Sequence, residues 1–276
     1  MNGGGGNVAP GRKRATVWHH AHTGLRFGDM RFFYHPEIPA AGGVTRLGEE
    51  EAFHAVRVLR LRPGDALRLL DGHGRRAEAE IESVLREGRR EAVNVRIVRC
   101  EAFTPPACRL RLLVAPPRAK LFNQLLRDAA ELGVWRITPI LCEFSTARPD
   151  GEAADHWRAD LVSAAKQSGN PFLPELDPPQ SFAAALAAAP AAGVFGDVAD
   201  ADAPFTLSVP PPPELAVWIG PEGGFSQAER TRLLEHGCRP LRLGCWILRV
   251  ETAVTALLGH LLGIAGHDLA CHPHSA

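Results

Sequence analysis

No stretch of this 276-residue chain approaches the roughly 18 consecutive apolar residues that a membrane-spanning helix needs. The amino-terminal segment also lacks an apolar signal core, so export is not expected and a cytoplasmic location is. The six cysteines (Cys100, Cys108, Cys142, Cys238, Cys245 and Cys271) contain no C-x-x-C pair. Their scatter suggests neither a disulfide framework nor a zinc knuckle, and reduced thiols are the plain expectation. No G-x-G-x-x-G follows a strand-like run, so the Rossmann dinucleotide fingerprint is missing, and no phosphate-binding P-loop is present. The absence of Gly-x-Ser-x-Gly argues against an α/β-hydrolase. Two histidine-bearing clusters, His19, His20 and His22 near one end and His267, Cys271, His272 and His274 near the other, lie in polar tails without matched partners. Disordered tails are expected there, and no metal site.

A net charge is missing too: 31 basic side chains balance 31 acidic ones. The balance is uneven along the chain, with an excess of +3 over residues 1–30, +2 over 31–100 and −5 over the remainder. An excess this small does not by itself identify a nucleic-acid binder, but it directs the search to the first hundred residues.

What is present divides the chain in four. Residues 1–29, with Gly3–Gly6 and the basic run Arg12–Arg14, show no periodicity and are expected to be disordered. Residues 30–103 read as a small β-rich domain. Strand-like Arg31–Tyr34 precedes a helix opened by Glu49, Glu50 and Glu51, with Ala52, Phe53, Val56 and Leu59 on one face. Pro63-Gly64-Asp65 stops it. Strands follow over Ala66–Leu70, Arg76–Val84 and Ala92–Val98, with an Asp71-Gly72 turn. Within the last of these, Val93, Val95 and Ile97 point one way and Asn94 and Arg96 the other. After a Thr104-Pro105-Pro106 linker the rhythm changes to alternating strands and helices over 107–266, implying a parallel sheet. Strands are expected at Leu110–Ala115, Trp135–Leu141, Val194–Gly196 and Leu215–Ile219. Helices are expected at Leu121–Leu132, ended by Gly133, and at Trp157–Ser168, Ser181–Ala189 and Arg249–Leu262. Residues 267–276 form a tail.

The stretch 217–258 is the most informative. An apolar strand runs into Gly220-Pro221-Glu222-Gly223-Gly224, and Ser226-Gln227-Ala228-Glu229 then forms a capping box. Glycines after a buried strand let backbone approach a ligand closely, and the carboxyl ends of parallel strands are where α/β sheets bind ligands. A second turn of this kind follows at Leu243-Gly244-Cys245-Trp246. One glycine turn is usually only a tight turn; two at neighbouring strand ends are less common, but composition does not name the ligand.

These residues resemble a known family. Ile219-Gly220-Pro221-Glu222-Gly223-Gly224, Leu243-Gly244 and Ile247-Leu248-Arg249-x-Glu251-Thr252-Ala253 are similar to the signature of the RsmE family, the 16S rRNA (uracil-N3)-methyltransferases of the SPOUT superfamily. Glu131-Leu132-Gly133-Val134 with Ile137-Thr138-Pro139 agrees, and His54-x-x-x-Val58-Leu59-Arg60 with Pro63-Gly64-Asp65 resembles the family's PUA-like RNA-binding domain. The resemblance spans residues 31 to about 265. It implies a C-terminal trefoil-knot domain with a parallel sheet, a PUA-like barrel before it, S-adenosylmethionine as cofactor, 16S rRNA in the small ribosomal subunit as partner, and a homodimer. The helices over 121–132 and 249–262 could supply the dimer contact or be internal core.

The resemblance also assigns roles. Ile219, Gly220, Pro221, Gly223, Leu243, Gly244, Ile247 and Leu248 would hold the methyl donor. Arg249 would stabilise the uracil anion or the RNA, with Glu222 and Glu251 orienting Arg249 or handling a proton. Arg57 and Arg60 are candidates for RNA phosphates, with a solvated helix face an equally good account. Lys166 departs from the family pattern, which has an acid there, and as a further RNA contact it would replace a positive charge lost elsewhere. Trp246, Val250 and Asp128 stand where the family pattern has Arg, Thr and Lys. Two alternatives therefore stay open: another RNA target, or a catalytically silent RNA-binding homologue.

Overall fold

The alternation of Val93, Val95 and Ile97 becomes a buried stripe, each residue at most 1% exposed, while Arg96 on the other face is exposed. The computed structural model describes residues 31–147, 153–197, 208, 210–265 and 272–274. The expectations for residues 1–29 and for His267 and Cys271 lie outside the described residues. The chain first forms β1 (Phe32–Tyr34), β2 (Val44–Arg46), α1 (Glu49–Phe53), β3 (Ala66–Leu70), β4 (Arg75–Glu87) and β5 (Arg90–Thr104). Hydrogen bonding runs β1-β3-β4-β5, with β2 on the far side of β5. Ala77, Ala79 and Ile81 of β4 face Phe33, Leu67 and Leu69 in one apolar cluster with the β5 stripe.

The helix expected over residues 49–62 takes a different form. α1 ends at Phe53 and passes into a π-helical turn, His54–Val58. A π-turn holds more residues than an α-turn, so the inward positions shift. Ala52 and Ala55 are buried, whereas Phe53, expected on the buried face, is 57% exposed.

The second half contains β6 (Arg109–Val114), α2 (Ala119–Glu131), β7 (Arg136–Leu141), α3 (Ala153–Ser168), β8 (Glu175–Leu176), β9 (Gln180–Ser181), α4 (Phe182–Ala188), β10 (Gly193–Gly196), β11 (Glu214–Ile219), α5 (Gln227–Glu235), β12 (Cys238–Leu241) and α6 (Val250–Ala265). The sheet order is β12-β10-β11-β6-β7-β8, with β9 also on β7, and every ladder is parallel. Both faces are covered, as parallel sheets require. Leu110, Leu112, Val114, Leu215, Val217 and Ile219 meet α2, α3 and α6 on one face. Leu113, Ala216 and Trp218 meet Phe182 and Leu186 of α4 and Leu233 of α5 on the other. The apolar faces of α2 and α6 are therefore internal core.

The expected C-terminal tail supplies β13 (His272–His274), which pairs antiparallel with β5 at Thr104, Phe103 and Ala102. This corrects the reading of those three residues as disordered: a 15-residue β5 extends past its partners and leaves an edge to be filled. The two sheets also meet along a seam. Gly74 N donates to the Pro171 carbonyl (2.9 Å), Leu173 N donates to the Gly72 carbonyl (2.9 Å), and Lys166 on α3 is 2.7 Å from Glu51 on α1. Residues from Arg31 onward pack as one unit.

Candidate functional site

Strand order builds the site. β10 lies between β11 and β12, so three parallel strands end side by side. Their carboxyl ends release the Gly220 turn, the segment after Leu241, and between them Asp197. The cleft so formed has a volume of about 280 Å³, near the lower end of small-molecule sites, roughly 300–1,000 Å³.

The first turn is closed by Gly224 N donating to the Pro221 carbonyl (2.8 Å), with Gly224 at φ +75°. A Cβ on Gly220 would lie 3.1 Å from Phe225 N, closer than most Cβ contacts, because the chain doubles back tightly here. Phe225 anchors the turn in the core against the rings of Phe182 and Phe195, at 6.1 and 6.3 Å between centroids. The expected capping box forms at α5 and does more than cap. The buried Glu229 carboxylate accepts from Ser226 N (2.9 Å) through Oε2 and from Glu143 N (2.9 Å) through Oε1. This carboxylate ties the loop after β7 to the first turn, where a Cβ on Gly223 would come within 3.2 Å of Phe144. The second turn is pinned by Arg242 Nε donating to the Gly244 carbonyl (2.9 Å).

All eight residues expected to hold the donor (Ile219, Gly220, Pro221, Gly223, Leu243, Gly244, Ile247 and Leu248) line this one cleft, and Glu222 lines it as well. Arg249 and Glu251 do not. Arg249 is exposed just ahead of α6, where its carbonyl accepts from Ala253 N (2.8 Å), and Glu251 is half-buried in the first turn. Among the described residues no ion pair joins Arg249 to either carboxylate. Trp246 lines the cleft and is 81% exposed, Val250 is buried against it, and Asp128 lies apart on α2, bonded to Gln124 (2.7 Å).

Sequence reasoning missed an ion pair in the cleft. Asp197 and Arg230 both line it, and Arg230 Nη1 lies 2.8 Å from Oδ1 and 2.7 Å from Oδ2 of Asp197. Asp197 directly follows β10 and Arg230 lies on α5, and no local spacing announces their meeting. Two buried thiols in this half are held protonated: burial and the Glu229 carboxylate hold the Cys142 thiol well above its ordinary value, and burial pushes Cys238 up to about 11. Neither forms an appreciable thiolate near neutrality. Among the described residues, no three His, Cys, Asp or Glu side chains converge as a metal site.

The candidate RNA contacts gather elsewhere. Arg57 and Lys166 share a depression beside α1, but both are paired, Arg57 with Glu91 (2.6 Å) and Lys166 with Glu51 (2.7 Å). Arg60 is exposed and stands outside this depression, at φ +58°.

The second turn leaves open space at Gly244, one of the residues lining the cleft. An added Cβ at Gly244 meets no protein atom within 4 Å, so no protein contact requires glycine there, and the space is open to a ligand.

Comparison with known proteins agrees with this picture. Residues 104–262 match the RNA methyltransferase domain family and residues 47–87 the RNA methyltransferase PUA domain family. The chain is similar to ribosomal RNA small subunit methyltransferase E of Mycobacterium bovis, at 30% identity over 82% of this chain and 89% of that protein. Among solved structures, a methyltransferase from Legionella pneumophila with bound SAM aligns at TM-score 0.75 and 30% identity, covering 85% of this chain and 97% of that one. Ribosomal RNA small subunit methyltransferase E from Neisseria gonorrhoeae, bound to S-adenosyl methionine, aligns at TM-score 0.75 and 26% identity, with coverage of 85% and 97%.

Proposed function

Because the chain belongs to the RNA methyltransferase family, we propose that it transfers the methyl group of S-adenosylmethionine to N3 of a uridine in small-subunit (16S) ribosomal RNA. The observation that carries this reading is the convergence of both glycine turns on one cleft at the ends of β10, β11 and β12. The glycine turns and the apolar Ile219, Leu243 and Ile247 hold the adenosyl end. The donor supplies an electrophilic methyl group on a sulfonium.

The residues around it have three tasks. The target base must be unpaired or flipped out, because N3 lies on its Watson–Crick edge. The uracil must lose its N3 proton, and the exposed Glu222 at the cleft lip and Glu251 in the first turn of α6 are the candidate proton handlers. The resulting anion must be held in line with the methyl group, a task for the Arg249 guanidinium and for positioning generally. Residues 30–103, with Arg57 and Arg60, and Lys166 from α3 hold the RNA. Since Arg57 and Lys166 begin in ion pairs, RNA phosphates would have to displace Glu91 and Glu51.

Three finer features belong to the same reading: a C-terminal trefoil knot, a homodimer and a cytoplasmic location. The knot is supported by α6, which follows β12 yet packs back on α2 and β11. The apolar faces of α2 and α6 are already buried, so the dimer contact falls to exposed residues such as Trp246 and Ile247, 81% and 82% exposed. No described helix is long and apolar enough to cross a membrane.

The test is methylation of small ribosomal subunits from cells lacking their own uridine-N3 enzyme, with labelled S-adenosylmethionine and mass spectrometry of digested RNA. 3-Methyluridine is expected, with a large loss on Arg249→Ala. Label at another nucleotide would move the target, and donor binding without label would indicate a silent binder.

A further inference from the structure

Every residue from Gly244 to Arg249 is exposed, yet the segment is anchored at both ends. Arg242 Nε holds the Gly244 carbonyl before it, and Val250 is buried after it. Within this segment Trp246 lines the cleft with its ring almost wholly in water. Among the described residues, no hydrogen bond, ion pair or ring contact engages the indole. Phe225 is the other aromatic residue lining the cleft, and it is locked in the core against Phe182 and Phe195. Trp246 is therefore the cleft's one aromatic face open to a ligand.

A covered tryptophan buries roughly 150–250 Å², so a ring left bare on the wall of a cleft is a large surface for a ligand to cover. The reaction brings in a group that needs such a surface. A base that leaves its helix to expose N3 loses its stacking, and enzymes of this kind receive the flipped base against aromatic or apolar side chains. The residues assigned to the target base above, Glu222, Arg249 and Glu251, are all charged and offer it no such face. The adenosyl end of the donor already has the apolar Ile219, Leu243 and Ile247. Trp246 and Arg249 stand three residues apart on the same exposed segment, so one stretch of chain supplies both a flat face and a positive charge.

We infer that Trp246 is the stacking platform for the target base: its indole face receives the flipped uracil, leaving the Arg249 guanidinium to meet the charge that develops on it. The inference rests on the methyl transfer proposed above and adds the surface that receives the substrate. Stacking tolerates any base, so Trp246 sets how firmly the base is held, while its identity is read by polar groups.

Methylation rates measured against small-subunit concentration, for the full chain and for Trp246→Phe, Trp246→Leu and Trp246→Ala, test this. Trp246→Leu and Trp246→Ala should each lower kcat/KM roughly 10- to 100-fold, and Trp246→Phe should recover most of the loss. Calorimetric affinity for S-adenosylhomocysteine and the oligomeric state in sedimentation should stay as in the wild type for all three. A Trp246→Leu protein as active as the wild type would overturn the inference, because an apolar side chain without an aromatic face would then suffice. Lost S-adenosylhomocysteine affinity would overturn it by giving the ring to the donor's adenine, and a smaller oligomer would do so by giving it to a subunit contact. A wild-type protein that binds S-adenosylhomocysteine but transfers no label would remove the methyl transfer and this role with it, a result distinct from an active enzyme indifferent to Trp246→Leu.

Discussion

A side chain added at Gly244 would meet no protein atom within 4 Å, yet it would stand in the open space beside the cleft. Gly244→Val should therefore lower S-adenosylhomocysteine affinity by about tenfold or more while leaving the melting temperature unchanged, with calorimetry and a thermal melt as the two readouts. The opposite pattern belongs to Asp177, which accepts from Thr138 Oγ1 (2.6 Å) and Arg136 Nη2 (2.7 Å) and neighbours the buried Arg111, away from the cleft. Burial alone would push its carboxyl up, but Arg136, Thr138 and the Arg111 charge outweigh burial and hold it below its ordinary value. The folded chain thus keeps this carboxylate ionised to lower pH than the unfolded chain does. Its contribution is fully present above the unfolded carboxyl pKa, about 4, and is lost as pH falls through the lowered folded value. Asp177→Ala leaves Arg111 and Arg136 without this partner and should cost about 3–5 kcal/mol at neutral pH. Urea titrations should show the variant's deficit shrinking below about pH 4. Neither the Asp177 network nor Asp197 was legible in the sequence, because each is assembled from strands far apart in the chain.

At the scale of elements, α5 shows how far a local pattern reaches. The Ser226–Glu229 box was legible because capping depends on residues three apart. Its second role, the Glu229 bond to Glu143 N, was not, because it spans 86 residues. Glu229→Ala should leave two backbone N–H groups unsatisfied and cost about 2–4 kcal/mol in urea unfolding, with Glu229→Gln recovering part of it through its remaining acceptor. The helix after Glu49 shows the opposite case. A 3.6-residue period placed Phe53 inward, but the π-turn over His54–Val58 hands that position to Ala55. Apolar spacing is consistent with both windings, and packing against β5 decides between them.

For the whole molecule, the seam between the two sheets sets how the first half is presented to the cleft-bearing half. Gly74 sits there at φ +102°, where a Cβ would come within 2.6 Å of Phe172. Gly74→Ala combines left-handed strain with overpacking and should cost about 2–4 kcal/mol. The cleft lies on other elements, so S-adenosylhomocysteine affinity measured well below the melting temperature should hardly change. Loss of donor affinity in that variant would mean that the seam also shapes the cleft. The Asp71-Gly72 turn was visible in the sequence, but the reason for a second glycine at Gly74 lies in the approach of Pro171 and Phe172, some hundred residues later.

The sequence by itself determined four of the seven strands of the parallel sheet (β6, β7, β10 and β11), the capping box, the helix stop at Gly133 and the two glycine turns. Each depends on side-chain periodicity or backbone freedom over a few neighbouring residues, and the family resemblance joined those pieces to a methyl donor. The tertiary structure alone decided that β10 would run between β11 and β12, bringing Asp197 to Arg230 across 33 residues. It also decided that α2 and α6 would spend their apolar faces on the core, and that His272–His274 would complete the edge of β5. The reason is physical: apolar strands of similar composition can pair in many orders. Which order forms depends on the burial and hydrogen bonding of the whole sheet, which no window of sequence contains.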